Sequence, residues 1–226
     1  TLRGGGNCMS HCMGGWSLDG RLLQSASLGN AERVHRLLEM GARVNCVDDA
    51  GQSPLLKAAE HGHTELVDEL IRLGARADTT DNRDSNALHY ASYNGHASTC
   101  AALVRHGFDI NVVNKFGYSA LQYAAADGRT ETVVRLLELG ADVNGTDKMR
   151  WTALHRAAGN GHTDTVRALV ERGANVNAFD SQFYTPLHEA TWCGHRETVR
   201  QLVALGADVT RADLWGNTPI DLARST

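Results

Sequence analysis

Glycine recurs with one fixed step along this chain. Gly41, Gly74, Gly107, Gly140, Gly173 and Gly206 are each 33 residues apart, and so are Gly29, Gly62, Gly95, Gly128, Gly161 and Gly194. Ala58, Ala91, Ala124, Ala157, Ala190 and Ala223 keep the same interval. Two glycine series in different phases predict two chain reversals per period, because glycine takes the left-handed backbone that ends a helix. The stretch from Trp151 to Asp180 shows what lies between them. Thr152 suits a helix N-terminus, and Ala153, Leu154, Ala157 and Ala158 form a small apolar helix face. Val166, Leu169 and Val170 then fall at helical spacing for a second helix. So small a unit buries its apolar face only against copies of itself. Pro54, Pro186 and Pro219 each follow a capping position, where a missing N–H costs nothing.

The same unit carries Thr185-Pro186-Leu187-His188, Thr152-Ala153-Leu154-His155, Gly140-Ala141-Asp142-Val143-Asn144 and Gly173-Ala174-Asn175-Val176-Asn177. On these motifs the chain resembles the ankyrin-repeat family over residues 17–226. The resemblance implies an all-α repeat fold, an ankyrin-repeat solenoid of helix-turn-helix units with β-hairpin-like loops. The expected organisation is a flexible lead-in over residues 1–16 and a capping repeat over 17–47. Full repeats follow over 48–80, 81–113, 114–146, 147–179 and 180–212, then a partial repeat over 213–226. The resemblance also implies a concave groove, lined by the tips and inner helices, that binds partner proteins.

Composition narrows the function classes. A net charge of −4 argues against nucleic acid as the main partner. Five scattered cysteines, an odd number, fit a reduced intracellular protein, in cytoplasm or nucleus. No apolar run approaches the roughly 18 residues of a membrane span, and no signal peptide is recognisable. Cys8, His11 and Cys12 lack a fourth ligand and a zinc-type spacing, so no metal and no cofactor is expected. His89, His155 and His188 occupy the family's Thr-Pro-Leu-His position, where the resemblance implies an imidazole that ties adjacent turns; His63, His96, His162 and His195 follow the glycine turn and, recurring with the unit, are expected to be structural. No nucleophile, base and oxyanion set assembles from the sequence, so the chain is expected not to be an enzyme.

The scaffold dictates small and apolar positions, so function is sought at the variable ones, and these are aromatic. Phe116, Tyr118, Trp151, Phe183, Tyr184 and Trp215 sit at tips; Tyr90, Tyr93, Tyr123 and Trp192 sit on the inner helices. Tip aromatics also stiffen a solenoid, and Phe116 and Phe183 are the members expected to pack. The expected partner-binding residues are Tyr90, Tyr93, Tyr118, Tyr123, Trp151, Arg156, Tyr184 and Trp192. Lys115, Lys148, Arg150 and Arg156 lie near the central tips, with Asp127 and Glu189 close by. Aromatic walls with basic groups suit an extended protein segment carrying apolar anchors and an acidic residue.

Asn45, Asn111, Asn144 and Asn177 share one turn position, each eight residues after a leucine. The family resemblance implies asparaginyl hydroxylation there, although the same amide can bridge its loop. The primary expectation is a monomeric, non-catalytic interaction module or adaptor. An alternative is a substrate-receptor or regulatory region of a larger enzyme complex, such as a ubiquitin ligase with a downstream SOCS box.

Overall fold

The computed structural model describes residues 17–225, which form thirteen helices and no strand. Six helix pairs run in chain order. They are α1 (Leu18–Ser27) with α2 (Ala31–Glu39), α3 (Pro54–Glu60) with α4 (Thr64–Arg72), and α5 (Ala87–Tyr93) with α6 (Ala97–Arg105). Next come α7 (Ala120–Ala126) with α8 (Thr130–Glu138), α9 (Ala153–Gly159) with α10 (Thr163–Glu171), and α11 (Pro186–Trp192) with α12 (Arg196–Ala204). Helix α13 (Pro219–Ser225) follows. The odd-numbered helices pack side by side as an inner layer, and the even-numbered helices from α4 to α12 form an outer one. The candidate ligands Cys8, His11 and Cys12 lie outside the described residues.

Each inner helix starts on a capping side chain. Ser53, Asn86, Ser119, Thr152 and Thr185 accept from first-turn amides, and Pro54 and Pro186 follow directly. The core is one strip along the stack. Leu22, Leu55, Leu88, Leu121, Leu154 and Leu187 line its inner side and Leu37, Leu70, Leu103, Leu136 and Leu169 its outer side, all buried. Each such leucine contributes about 1.5–3 kcal/mol.

Histidines tie the units as expected. In His155, Nδ1 accepts from the Thr152 amide at 3.2 Å and Nε2 bonds the Tyr184 carbonyl of the next unit at 3.1 Å. His89 and His188 repeat this on the Tyr118 and Asn217 carbonyls. Gln122 holds the same register and makes both bonds with its amide, accepting from Ser119 N at 2.9 Å and donating to the Trp151 carbonyl at 2.6 Å. The second histidine series bonds backward, with His162 on the Ala126 carbonyl at 3.0 Å and His195 on the Gly159 carbonyl at 2.9 Å. This imidazole lies over the glycine turn of the preceding unit. A Cβ on Gly128, which has φ +66°, would fall 2.5 Å from His162 Nδ1. Glycine there serves both backbone and contact.

The inter-unit loops keep hairpin bonding without strand assignment. Asp147 N donates to the Trp151 carbonyl, and Asp147 Oδ1 accepts from Met149 N and Trp151 N at 2.8 and 2.9 Å. Asp48, Asp81, Asn114, Asp180 and Asp213 build their own tips with the same pair of bonds. Successive tips join through backbone bonds such as Lys115 N to the Arg83 carbonyl at 3.0 Å.

Candidate functional site

The first residue of each tip sets the chemistry of the inner face. One side-chain atom closes the tip; the second is left for a group nine positions further on. Asp48 takes Lys57 at 3.2 Å, Asp81 the Tyr90 hydroxyl at 2.9 Å, and Asp147 Arg156 at 2.5 Å. At Asn114 the amide donates to the Tyr123 hydroxyl at 2.9 Å. The fifth unit breaks the series. Nine positions after Asp180 stands Glu189, and Asp180 Oδ2 instead accepts from the Trp151 indole at 2.9 Å. The Glu189 side chain makes no hydrogen bond or ion pair among the described residues. Burial, then the Asp180 charge, push its carboxyl up to about 7, against the opposing pull of Arg156.

The sequence-proposed residues therefore separate into two groups. Tyr90, Tyr118, Tyr123, Trp151, Arg156 and Tyr184 are half-buried and built into the stack. Tyr90 is held from both sides, donating to Asp81 and accepting from Gln52 Nε2 at 2.7 Å; burial pushes its phenol up to about 12. Tyr123 meets His89, Tyr93 and Tyr118 edge-on at 5.6 to 6.0 Å. The Arg156 guanidinium lies over both the Tyr118 and Trp151 rings, at 4.4 and 4.5 Å. Tyr184 packs against His188 and Trp215. Tyr93 and Trp192 form the second group, with 48% and 54% of their surfaces exposed.

Two sequence expectations change here. Phe116 and Phe183 are exposed, and the packed member of each tip pair is Tyr118 or Tyr184. The tyrosine occupies the fifth tip position, whose carbonyl takes the histidine bond from the preceding unit, so it lies between hairpins. Phe183 takes the fourth position, with φ +63°, and stacks on Phe179 at 5.4 Å. The basic residues near the tips are also engaged. Lys115 and Lys148 donate to the carbonyls of Asn82 and Lys115, Arg150 lies over Phe179, and Arg156 is paired with Asp147. An acidic partner residue loses its expected support.

Tyr93 and Trp192 share one register, with Ala126 and Gly159 between them on α7 and α9. Two exposed rings thus bound a floor of minimal side chains. A pocket of about 350 Å³ opens beside Tyr93, lined by Glu60, Asp81, Arg83, Tyr90 and Tyr123 among others. The position of Glu60 next to Tyr93 was legible from the same period but carried no aromatic signal.

The asparagines sit in the loops between units. Asn144 accepts from Asn175 N at 2.9 Å and donates to the Gly173 carbonyl at 3.2 Å. Asn45 and Asn177 make the same two bonds, and Asn111 accepts from Asp142 N at 2.9 Å. Each amide therefore clamps the following unit. Among the described residues no group of three or more His, Cys, Asp or Glu could hold a metal ion, and no helix is long and apolar enough to cross a membrane.

The solved structures include close matches of shape. The ankyrin repeat domain of Bcl-3, a unique member of the IkappaB protein family, is 30% identical, with 90% of this chain and 93% of that one covered and a TM-score of 0.77. The human ASB11 ankyrin repeat domain is 25% identical over 89% of this chain and 90% of that one, with a TM-score of 0.80. No curated protein matches. The family description "Ankyrin repeats (3 copies)" matches over residues 22–114, 73–147, 101–180 and 121–213. Ankyrin repeats are in general non-catalytic protein–protein interaction modules, and this chain belongs to the ankyrin-repeat family.

Proposed function

We propose that the chain is an adaptor that binds an extended segment of a partner protein along its tip and inner-helix face. The observation that carries this reading is the pair of exposed rings, Tyr93 and Trp192, separated by the low floor of Ala126 and Gly159. Neighbouring packed helices lie about 8–10 Å apart, so three steps span roughly 25–30 Å. An extended strand rising about 3.3 Å per residue covers that span in roughly eight or nine residues. Tyr93 and Trp192 act as the anchoring contacts. Tyr90, Tyr118, Tyr123, Trp151, Arg156 and Tyr184 form the rigid wall behind them, which keeps the ordering cost of binding low.

The same reading places the protein in a reducing compartment, cytoplasm or nucleus, in keeping with the free thiols of Cys46, Cys100 and Cys193. Asn45, Asn111, Asn144 and Asn177 are proposed as hydroxylation acceptors; a hydroxylase would first have to release the amide bonds described above.

The test compares proteins captured by the wild type, by a Tyr93→Ala/Trp192→Ala double variant and by Val203→Ala, a control on the outer helix α12. All three should keep the wild-type circular dichroism. Partners lost with the double variant and kept by the control are the expected result. Retention of every partner by the double variant would reject the site.

A further inference from the structure

We propose that the segment bound along this face carries a basic side chain, lysine or arginine, which enters the pocket bounded by Tyr90, Tyr93, Tyr123 and Glu60. The inference rests on the groove reading above and names the charge of its partner. Three tyrosine rings wall the pocket. Two of them are fixed in place, Tyr90 by Asp81 and Gln52 and Tyr123 by Asn114. Ring faces carry negative potential and attract a cation placed against them. Glu60 is half-buried, and its carboxylate makes no hydrogen bond or ion pair among the described residues. Filling the pocket with an apolar group would leave that carboxylate covered and unpartnered, which is costly. An anion would face Glu60 and Asp81 there, with Arg83 as the one opposing charge in the lining.

The basic groups near the pocket, apart from Arg83, are already engaged. Lys57, Lys115, Arg129 and Arg156 are each paired with a carboxylate, on Asp48, Asp84, Asp127 and Asp147. At the far end of the floor, Glu189 stands one helical turn before Trp192 on α11. A ring and a carboxyl group without a side-chain partner are thus set together at both ends of the face. Arg83 also lines the pocket, and it is the group whose removal separates the two signs of ligand.

The experiment selects a random twelve-residue peptide library on the wild-type chain. Selected peptides are then measured by fluorescence anisotropy against Tyr93→Ala/Trp192→Ala, Glu60→Gln and Arg83→Ala, each with circular dichroism to verify folding. Expected are peptides with a lysine or arginine at a fixed distance from an aromatic or apolar anchor, lost on the double variant. Glu60→Gln should weaken them about five- to tenfold, as expected for a partly desolvated cation among rings and a carboxylate, and Arg83→Ala should strengthen them. Peptides that need Tyr93 and Trp192 but carry acidic or uncharged residues overturn the charge assignment and leave the groove. Equally, Glu60→Gln without effect and Arg83→Ala weakening binding overturn it. No peptide dependent on Tyr93 and Trp192 overturns the groove reading and this inference with it.

Discussion

Threonines bridge the outer helices in pairs 35 residues apart. The hydroxyls of Thr64 and Thr99, Thr130 and Thr165, and Thr163 and Thr198 each meet at 2.8 Å. Thr132 holds the same register as Thr99, Thr165 and Thr198 and is 1% exposed, but its Oγ1 has no partner. The reason is that residue 97 is alanine where the other bridges have threonine. Ala97→Thr should complete the bridge. A net hydrogen bond contributes about 0.5–1.5 kcal/mol, and satisfying a buried orphan lies at or above the top of that range. Threonine at a helix position costs up to about 0.7 kcal/mol relative to alanine. The expected gain is about 1 kcal/mol. Urea unfolding of wild type, Ala97→Thr, Thr132→Val and the double variant measures it as a cycle. Thr132→Val should be near neutral alone, because it removes an orphan. It should cost about 1 kcal/mol more in the Ala97→Thr background, since contacting residues couple. A coupling near zero would refute the assignment of Ala97 as the missing partner.

Three further outcomes are expected. Trp151→Phe keeps the ring under Arg156 but removes the indole bond to Asp180, leaving that carboxylate near Glu189; it should lower unfolding stability by about 1–3 kcal/mol, measured by denaturant titration. Burial holds the His155 imidazole down at about 4 against an ordinary 6.5, so the folded state resists a proton that the unfolded chain accepts. Stability should fall as pH drops from 6.5 toward 4, and His155→Gln, which copies the two bonds of Gln122, should flatten that loss in thermal melts across the window. The Glu189 carboxyl is raised from 4.5 to about 7, so its ionised form is penalised in the folded state, and stability should decline as pH rises through that interval. Glu189→Gln should therefore be increasingly more stable than wild type from pH 5 to pH 7, by the same melts.

The scaffold was readable because its requirements recur every 33 residues. The glycine turns, the caps at Ser53, Ser119 and Thr152, and the bridging histidines are each set by contacts that repeat with the unit. Even so, the two glycine series differ in kind. A Cβ on Gly140 meets nothing within 4 Å, whereas one on Gly128 strikes His162. Only the first is a matter of backbone alone, and the period does not distinguish them. Site residues were harder to read. The pattern brings Tyr90, Tyr93, Tyr123 and Trp192 to one face, but does not tell a ring locked by its hydroxyl from one left free. That depends on what stands nine residues earlier and one unit away, as Asp81 and Gln52 do for Tyr90. The basic side chains misled for the same reason: Arg156 looks available in the sequence, and its partner Asp147 is also the residue that closes the tip. Gln122 belongs to the histidine series by position and not by residue type, because its amide reproduces the bonds, not the chemistry, of an imidazole.

The central claim is that partners lie across the floor between Tyr93 and Trp192. A photo-crosslinking residue, benzoylphenylalanine, placed at Ala126 reports on that floor, and the same residue at Val203 reports on the outer helix. With a selected peptide or captured partner bound, irradiation should give an adduct at position 126 and none at 203. An adduct at 203 with none at 126, in variants that fold as the wild type does, would contradict the account.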